Sequence, residues 1–429
     1  MESEYTKKIL DNGLTVMLKE MHTAPLTSIW MWYKVGSRYE TPGITGASHW
    51  VEHMQFKGTP QYPNGVLDKA ISRLGGYWNA MTYLDWTTYL ATMPASKIDL
   101  ILSLEADRMV NSVFTEEDVA SERTVIISER QGNQNNPGFL LAELVQAAAF
   151  RVHSYHHQVI GDLADLETMT RDDLYHHYRR YYQPSNAVLA IAGAFDSQPL
   201  LDRIQELYAS IPSDGKPEFA ARPEPSRQGE HMVELEGPGD TAFIELAYPA
   251  PAAADEDFCA FLVLDSLLCG PSNLNIFGGG ISNKTSQLYQ ALVEKDIAVS
   301  VYGGLQASVD PYLYQVVITV HPESAPEKAI AAFDQQIAQV QEKLPSHSEL
   351  ERAVKQARAL FAYGSESITN QAFWLGFAEM FDSYSWFETY LDKLAAVTPE
   401  DVQRVAQSYL KKNTRVVGTY RPDGSEADA

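Results

Sequence analysis

The amino-acid sequence predicts an α+β protein of two homologous domains, each a mostly antiparallel β-sheet packed with α-helices as an αβ roll. Three observations predict it. At 429 residues the chain exceeds what one hydrophobic core ordinarily serves, so two domains of about 200 residues are expected. A Pro-rich, charged stretch over 211–230, with Pro212, Pro217, Pro223 and Pro225, has linker composition near the middle of the chain. A pattern also repeats: Thr170, Asp172, Asp173, Leu174 and Tyr181 recur as Thr398, Glu400, Asp401, Val402 and Tyr409 at a constant offset of 228 residues. In each half a Thr followed by acidic residues reads as a capped helix, and an apolar strand comes next, at 187–191 and 415–419. The expected division is 1–212, a linker 213–230, and 231–429.

The elements follow in order. Alternating apolar residues around Asn12-Gly13 predict a hairpin over 8–18. A strand is expected over 27–33. Gly43 and Gly46 precede a helical stretch, and a second helix over 65–74 is ended by Gly75-Gly76. Residues 77–94, rich in Thr, Tyr and Trp, read as a pair of strands. Residues 95–152 read as mostly helical.

Composition narrows the function. Hydrophobic content of 45% and charged content of 21% are ordinary for a globular protein. A formal net charge of -23 argues against nucleic acid, which needs a positive footprint. It favours a solvated acidic surface and biases a cleft toward cationic peptides. No run of 18 apolar residues predicts a membrane span. Met1-Glu2-Ser3-Glu4 is polar and reads as no signal peptide, which favours a cytoplasmic location, or a periplasmic one where a signal has been removed. Cys259 and Cys269 sit in one apolar stretch and are expected as buried core thiols.

Chemistry concentrates at His49-Trp50-Val51-Glu52-His53. On a helix, positions i and i+4 share a face, so His49 and His53 can turn two imidazoles to one metal ion. Glu52 lies on nearly the same face, within reach of a metal-bound water. Zinc catalysis needs three protein ligands and an open position. The third ligand must come from elsewhere, and Glu122 and Glu129 are seven residues, or two helical turns, apart on one face. The offset that relates the halves carries His49 onto the Phe277-Gly278-Gly279-Gly280 run, so the motif is not duplicated. His156, His157, His176 and His177 fit no complete ligand set and are expected at the surface or in packing.

These residues resemble the pitrilysin family of inverted zinc metallopeptidases, in the branch similar to mitochondrial processing peptidase and its bacterial relatives. Phe56-Lys57-Gly58-Thr59, the run from Gly75 to Thr82, the stretch from His153 to Gly161, and Tyr182-Gln183-Pro184-Ser185-Asn186 extend the resemblance over essentially the whole chain. It implies one zinc ion per chain held by His49, His53 and Glu129, with Glu52 as the base and Glu122 supporting a ligand. It also implies that a peptide substrate adds as a strand to an edge at Asn79 and Ala80, where main-chain hydrogen bonds bind it regardless of sequence.

One departure bears on partners. The resemblance places an Arg and a Tyr, seven residues apart, after a Gly-rich loop in the second half. Here the loop is 277–283, and those positions hold Val293 and Val299, neither of which can donate a hydrogen bond. Tyr302 is near but aligns elsewhere. The expectation is therefore a zinc-dependent endopeptidase acting as the zinc-bearing subunit of a heterodimer, whose homologous partner supplies the Arg/Tyr pair. The alternatives are a catalytically silent scaffold or core-type subunit and a self-sufficient homodimeric peptidase.

Overall fold

The computed structural model describes residues 5–425. Met1–Glu4, the stretch on which the signal-peptide expectation rests, lie outside the described residues. The chain forms two compact units. The first comprises residues up to Gln131, His157–Arg222 and Ser365–Tyr384; the second comprises Gly132–His156, Pro223–Gly364 and the chain from Ser385 onward.

The first unit holds strands β1 (Thr6–Ile9), β2 (Thr15–Glu20), β3 (Leu26–Tyr33), β4 (Tyr77–Thr82), β5 (Thr87–Pro94) and β6 (Ala187–Gly193). They form one sheet in the order β1-β2-β6-β3-β5-β4. Every pairing is antiparallel except β2 with β6. The predicted hairpin is present, with Ile9 opposite Thr15 and Gly13 at φ 91, a conformation that costs glycine least. β3 is buried from Thr27 to Tyr33, as a central strand covered on both faces must be.

The second unit holds β7 (His231–Gly237), β8 (Phe243–Ala250), β9 (Ala298–Leu305), β10 (Tyr312–Val320) and β11 (Val416–Pro422). Its order is β7-β11-β8-β10-β9, with β7 and β11 the one parallel pair. This repeats the β2-β6-β3-β5-β4 order of the first sheet. The repeated capped helices are Arg171–Tyr181 and Pro399–Tyr409, each with a complete capping box, Thr170 with Asp173 and Thr398 with Asp401.

Each sheet is completed by a helix from the other half of the sequence. Pro137–Ala149 packs on β11 in the second unit, and Ile368–Phe381 packs on β3 and β6 in the first. Both approaches are close. A Cβ at Gly418 of β11 would lie 2.4 Å from Val145, and one at Gly376 would lie 2.1 Å from Trp32 Nε1. The crossing between Arg222 and Pro223 falls inside the 213–230 stretch. The division 1–212 and 231–429 thus follows the repeat, whereas the packing units exchange a helix because each sheet buries an apolar face under it. The segment that follows the Gly-rich loop is helical over 287–293, with Tyr289–Val293 in π conformation. Cys269 is buried, while Cys259 is only half-buried.

Candidate metal centre

The helix Ala47–Met54 carries His49, Glu52 and His53, and its entry is fixed tightly. Gly46 precedes it at φ 88, and a Cβ there would meet the Ile160 carbonyl at 2.5 Å. No side chain at the N-cap position caps the helix. Instead Glu40, fully buried, accepts Gly46 N–H and Ser48 N–H, each at 2.7 Å. His157 Nε2 lies 2.9 Å from the same carboxylate. Burial alone would raise the Glu40 pKa, but the hydrogen bond and charge of His157 outweigh it and hold the carboxyl below its ordinary value. An ionised Glu40 therefore sits at the positive end of the helix dipole. Asp165 accepts Gly43 N–H, Thr45 N–H and the Thr45 hydroxyl, and so holds the loop that feeds the helix.

The structure brings His49, His53 and Glu129 together. His49 Nε2 and His53 Nε2 each lie 3.8 Å from Glu129 Oε2. One donor atom from each of the three falls within 4.8 Å of the others. Such spacing suits donors that each stand about 2.1 Å from a common ion. Glu129 comes from the helix Glu116–Gln134, which also carries Glu122. Glu122 Oε1 is 2.9 Å from His53 Nδ1, and Lys57 pairs with the other carboxylate oxygen. This is the carboxylate–histidine arrangement that fixes the tautomer of a metal-binding imidazole and turns Nε2 to the ion. His49 Nδ1 is buried without a hydrogen-bond partner among the described residues, so no protein group competes for the polar edge of that ring.

Electrostatics separate the two imidazoles. Burial, then the neighbouring His53, lower the His49 pKa to about 3, so it is the neutral form that binds metals. Burial also pulls His53 down, but the hydrogen bond that its Nδ1–H donates to Glu122 and the charges of Glu52, Glu122 and Glu129 leave it above its ordinary value. Correspondingly, the His53 hydrogen bond holds Glu122 low. Glu52 behaves differently. It is 9% exposed, and burial raises its pKa against the opposing hydrogen bond from Thr82. The Thr82 hydroxyl donates to Glu52 Oε2 at 2.6 Å.

Thr82 ends β4, an edge strand of the first sheet, where the predicted edge residues Asn79 and Ala80 also lie. Trp78 stacks edge-on against Phe56, and Thr82 reaches Glu52, so alternate residues of β4, with Ala80 between them, face the metal-site helix. Asn79 faces the other way. Its side chain accepts Ala80 N–H at 2.9 Å and donates to the Tyr77 hydroxyl at 3.1 Å. In the second unit, Val299 is 55% exposed on β9 and Val293 is half-buried.

Sequence reasoning missed Glu40, Lys57, Thr82 and Asp165 as supports of the site. His157 and His177 are buried in packing roles, with His177 Nε2 3.0 Å from the Ser48 hydroxyl, while His176 is exposed. Among the described residues one other trio, Glu20, His22 and Asp196, brings donor atoms together, but all three are exposed.

Two models of one family together match most of the chain. Residues 15–163 match "Insulinase (Peptidase family M16)" and residues 168–357 match "Peptidase M16 inactive domain". The chain belongs to the M16 peptidase family. The metal-site residues all fall within the first match. A relative named "uncharacterized zinc protease", from Streptomyces coelicolor, is 28% identical over 410 residues, 94% of this chain and 86% of its own. A protein of Arabidopsis thaliana named "probable mitochondrial-processing peptidase subunit beta" is 29% identical over 68% of this chain and 55% of its own. Among solved structures, a protease from Helicobacter pylori superposes with a TM-score of 0.89 at 25% identity, over 97% of this chain and 99% of its own. A peptidase M16 inactive domain from Pseudomonas fluorescens, at 18% identity, shares the fold with a TM-score of 0.87, over 98% of each chain.

Proposed function

We propose that this M16 chain is a zinc-dependent endopeptidase that cleaves unfolded peptides. The observation that carries the proposal is the convergence of His49, His53 and Glu129 donor atoms within 4.8 Å of one another, with buried Glu52 beside them. Two imidazoles and one carboxylate suit zinc better than the oxygen-preferring magnesium or calcium. His49 Nε2, His53 Nε2 and a Glu129 oxygen would hold one ion, and three protein ligands leave a position open. When bound, zinc lowers the pKa of water toward ~7 and polarises a carbonyl.

The remaining steps belong to the chain's own residues. Thr82 occupies Glu52 Oε2, which leaves Oε1 to take a proton from the attacking water and pass it to the departing amine. The raised pKa of Glu52 suits it to both transfers near neutral pH. Glu122 keeps His53 in the tautomer that presents Nε2. The open edge of β4 would take the substrate as an added strand, with main-chain groups at Asn79 and Ala80 binding it.

The same reading includes a homologous partner. Val293 and Val299 stand where the family resemblance expects an Arg and a Tyr, and neither can steady a substrate by hydrogen bonding. This supports a heterodimer in which the other subunit supplies that pair. A silent core-type subunit is the reading that the "inactive domain" match over 168–357 favours, but that stretch contains none of the ligands. The test is hydrolysis of a quenched peptide by the purified chain, alone and mixed with a homologue carrying the Arg/Tyr pair. Activity abolished by a chelator, restored by zinc and raised by mixing is expected. Full activity of the isolated chain with no gain on mixing would remove the heterodimer.

A further inference from the structure

The second unit contains a carboxylate that the metal centre does not use. Glu245 lies in the middle of β8, opposite Val317 of β10 and Gly418 of β11, and Val317 in turn faces Tyr302 of β9. Residues in such a row share one face of the sheet. The Pro137–Ala149 helix covers only part of that face, since it lies against Gly418. Beyond its rim a pocket of about 400 Å³ opens, and Leu141, Phe243, Tyr302, Gly304, Gln315 and Val317 line it with Glu245.

The walls are apolar and the floor is acidic. Glu245 is 2% exposed. Its one hydrogen-bond partner among the described residues is the neutral Gln315, whose Nε2 donates to Oε1 at 2.7 Å. No cation among the described residues pairs with it. Isolated burial of this kind is costly, and it pushes the carboxyl up to about 7. Buried acidic groups without a cation are otherwise rare in a folded interior. The opposite wall is vacant by design of the sequence: a Cβ built at Gly304 meets nothing within 4 Å, although its backbone φ does not require glycine.

We propose that this pocket binds the arginine side chain of a peptide, with Glu245 as its counter-ion. The methylene stem would lie along Leu141, Phe243 and Val317, and the exposed ring of Tyr302, 64% accessible, would stack on the guanidinium. The free Glu245 oxygen and the Gln315 amide oxygen give two neighbouring acceptors, which match the parallel N–H donors of a planar guanidinium fork. The net charge of -23 draws such a ligand in. The proposal rests on the peptidase reading only in taking the arginine to belong to a peptide.

The test uses the full chain carrying Glu52→Gln, so that peptide is bound and not consumed. Fluorescence anisotropy compares a labelled, capped alanine peptide containing one arginine with the same peptide containing citrulline, its neutral isostere. The arginine peptide is expected to bind about tenfold tighter or more, as charge-assisted hydrogen bonds require. Adding Glu245→Gln, which keeps the shape and the Gln315 contact, should erase that preference. Adding Gly304→Val, which fills the vacant wall, should weaken the arginine peptide while leaving Glu245 in place. Equal binding of the two peptides, or a preference that survives both variants, overturns the proposal. Arginine preference in a chain whose wild-type form cleaves nothing would leave the pocket standing and sink the peptidase reading instead.

Discussion

Glu245→Gln offers a stability test that needs no substrate. The folded chain raises the Glu245 pKa from 4.5 to about 7, chiefly by burial, so the folded state holds a proton that the unfolded state has released between those values. Stability falls with rising pH wherever the native state binds more protons. The contribution is therefore neutral below about pH 4.5 and becomes a growing penalty up to about pH 7. At 1.36 kcal/mol per pH unit, the interval from 4.5 to about 7 amounts to a penalty of roughly 3 kcal/mol above pH 8. Glutamine keeps the hydrogen bond with Gln315 and carries no charge. The variant should match the wild type at pH 4.5 and exceed it by up to about 3 kcal/mol at pH 8. For a unit of this size that corresponds to several degrees in Tm. Urea unfolding of both chains at the two pH values, followed by circular dichroism, measures the double difference. A variant that is no more stable at pH 8, or that gains equally at both pH values, would refute the claim of an unpaired buried carboxylate.

Three further outcomes follow from named contacts. Glu122→Gln cannot hold His53 as a carboxylate does, so zinc affinity measured by chelator competition should fall about 10–100-fold, with little change in unfolding midpoint of the metal-free chain. Glu40→Ala strips the acceptor from two buried amides, Gly46 N–H and Ser48 N–H, and should cost about 3 kcal/mol in chemical denaturation; a loss under about 0.5 kcal/mol would show that the helix entry does not depend on it. Gly376→Ala places a methyl group 2.1 Å from Trp32 Nε1, which should cost about 1–3 kcal/mol and shift the tryptophan emission of the first unit.

Much of the site was legible because its signals are periodic. His49 with His53, and Glu122 with Glu129, are spaced by helical turns, so the sequence alone puts each pair on one face. The supports were not legible, because they join elements distant in sequence. Thr82 reaches Glu52 across 30 residues and His157 reaches Glu40 across 117, and no spacing rule connects them. Asn79 shows a different limit. Its place in a strand followed from pattern and the edge from the family resemblance, but the face it occupies became clear only when Trp78 was seen against Phe56. The helix exchange is subtler still. Ile368–Phe381 is buried on nearly every side, and such a helix announces burial without naming the sheet that covers it. The repeat itself was readable from two capping boxes, because those are local. A signal for the second pocket also stood in the sequence: an acidic residue, Glu245, between Ile244 and Leu246 in a strand otherwise apolar.

The central claim is that His49, His53 and Glu129 hold a hydrolytic zinc ion for which Glu52 moves the proton. The most direct measurement is peptide hydrolysis by zinc-loaded Glu52→Gln against the zinc-loaded wild type, with metal content determined on the same samples. Where the chain alone is silent, both are assayed with the homologue carrying the Arg/Tyr pair. Glutamine keeps the size of the side chain and leaves all three ligands intact. The account predicts one zinc per chain in both proteins and a rate lower by about 10²–10⁴ in the variant. A fully zinc-loaded Glu52→Gln that cleaves at the wild-type rate would contradict it.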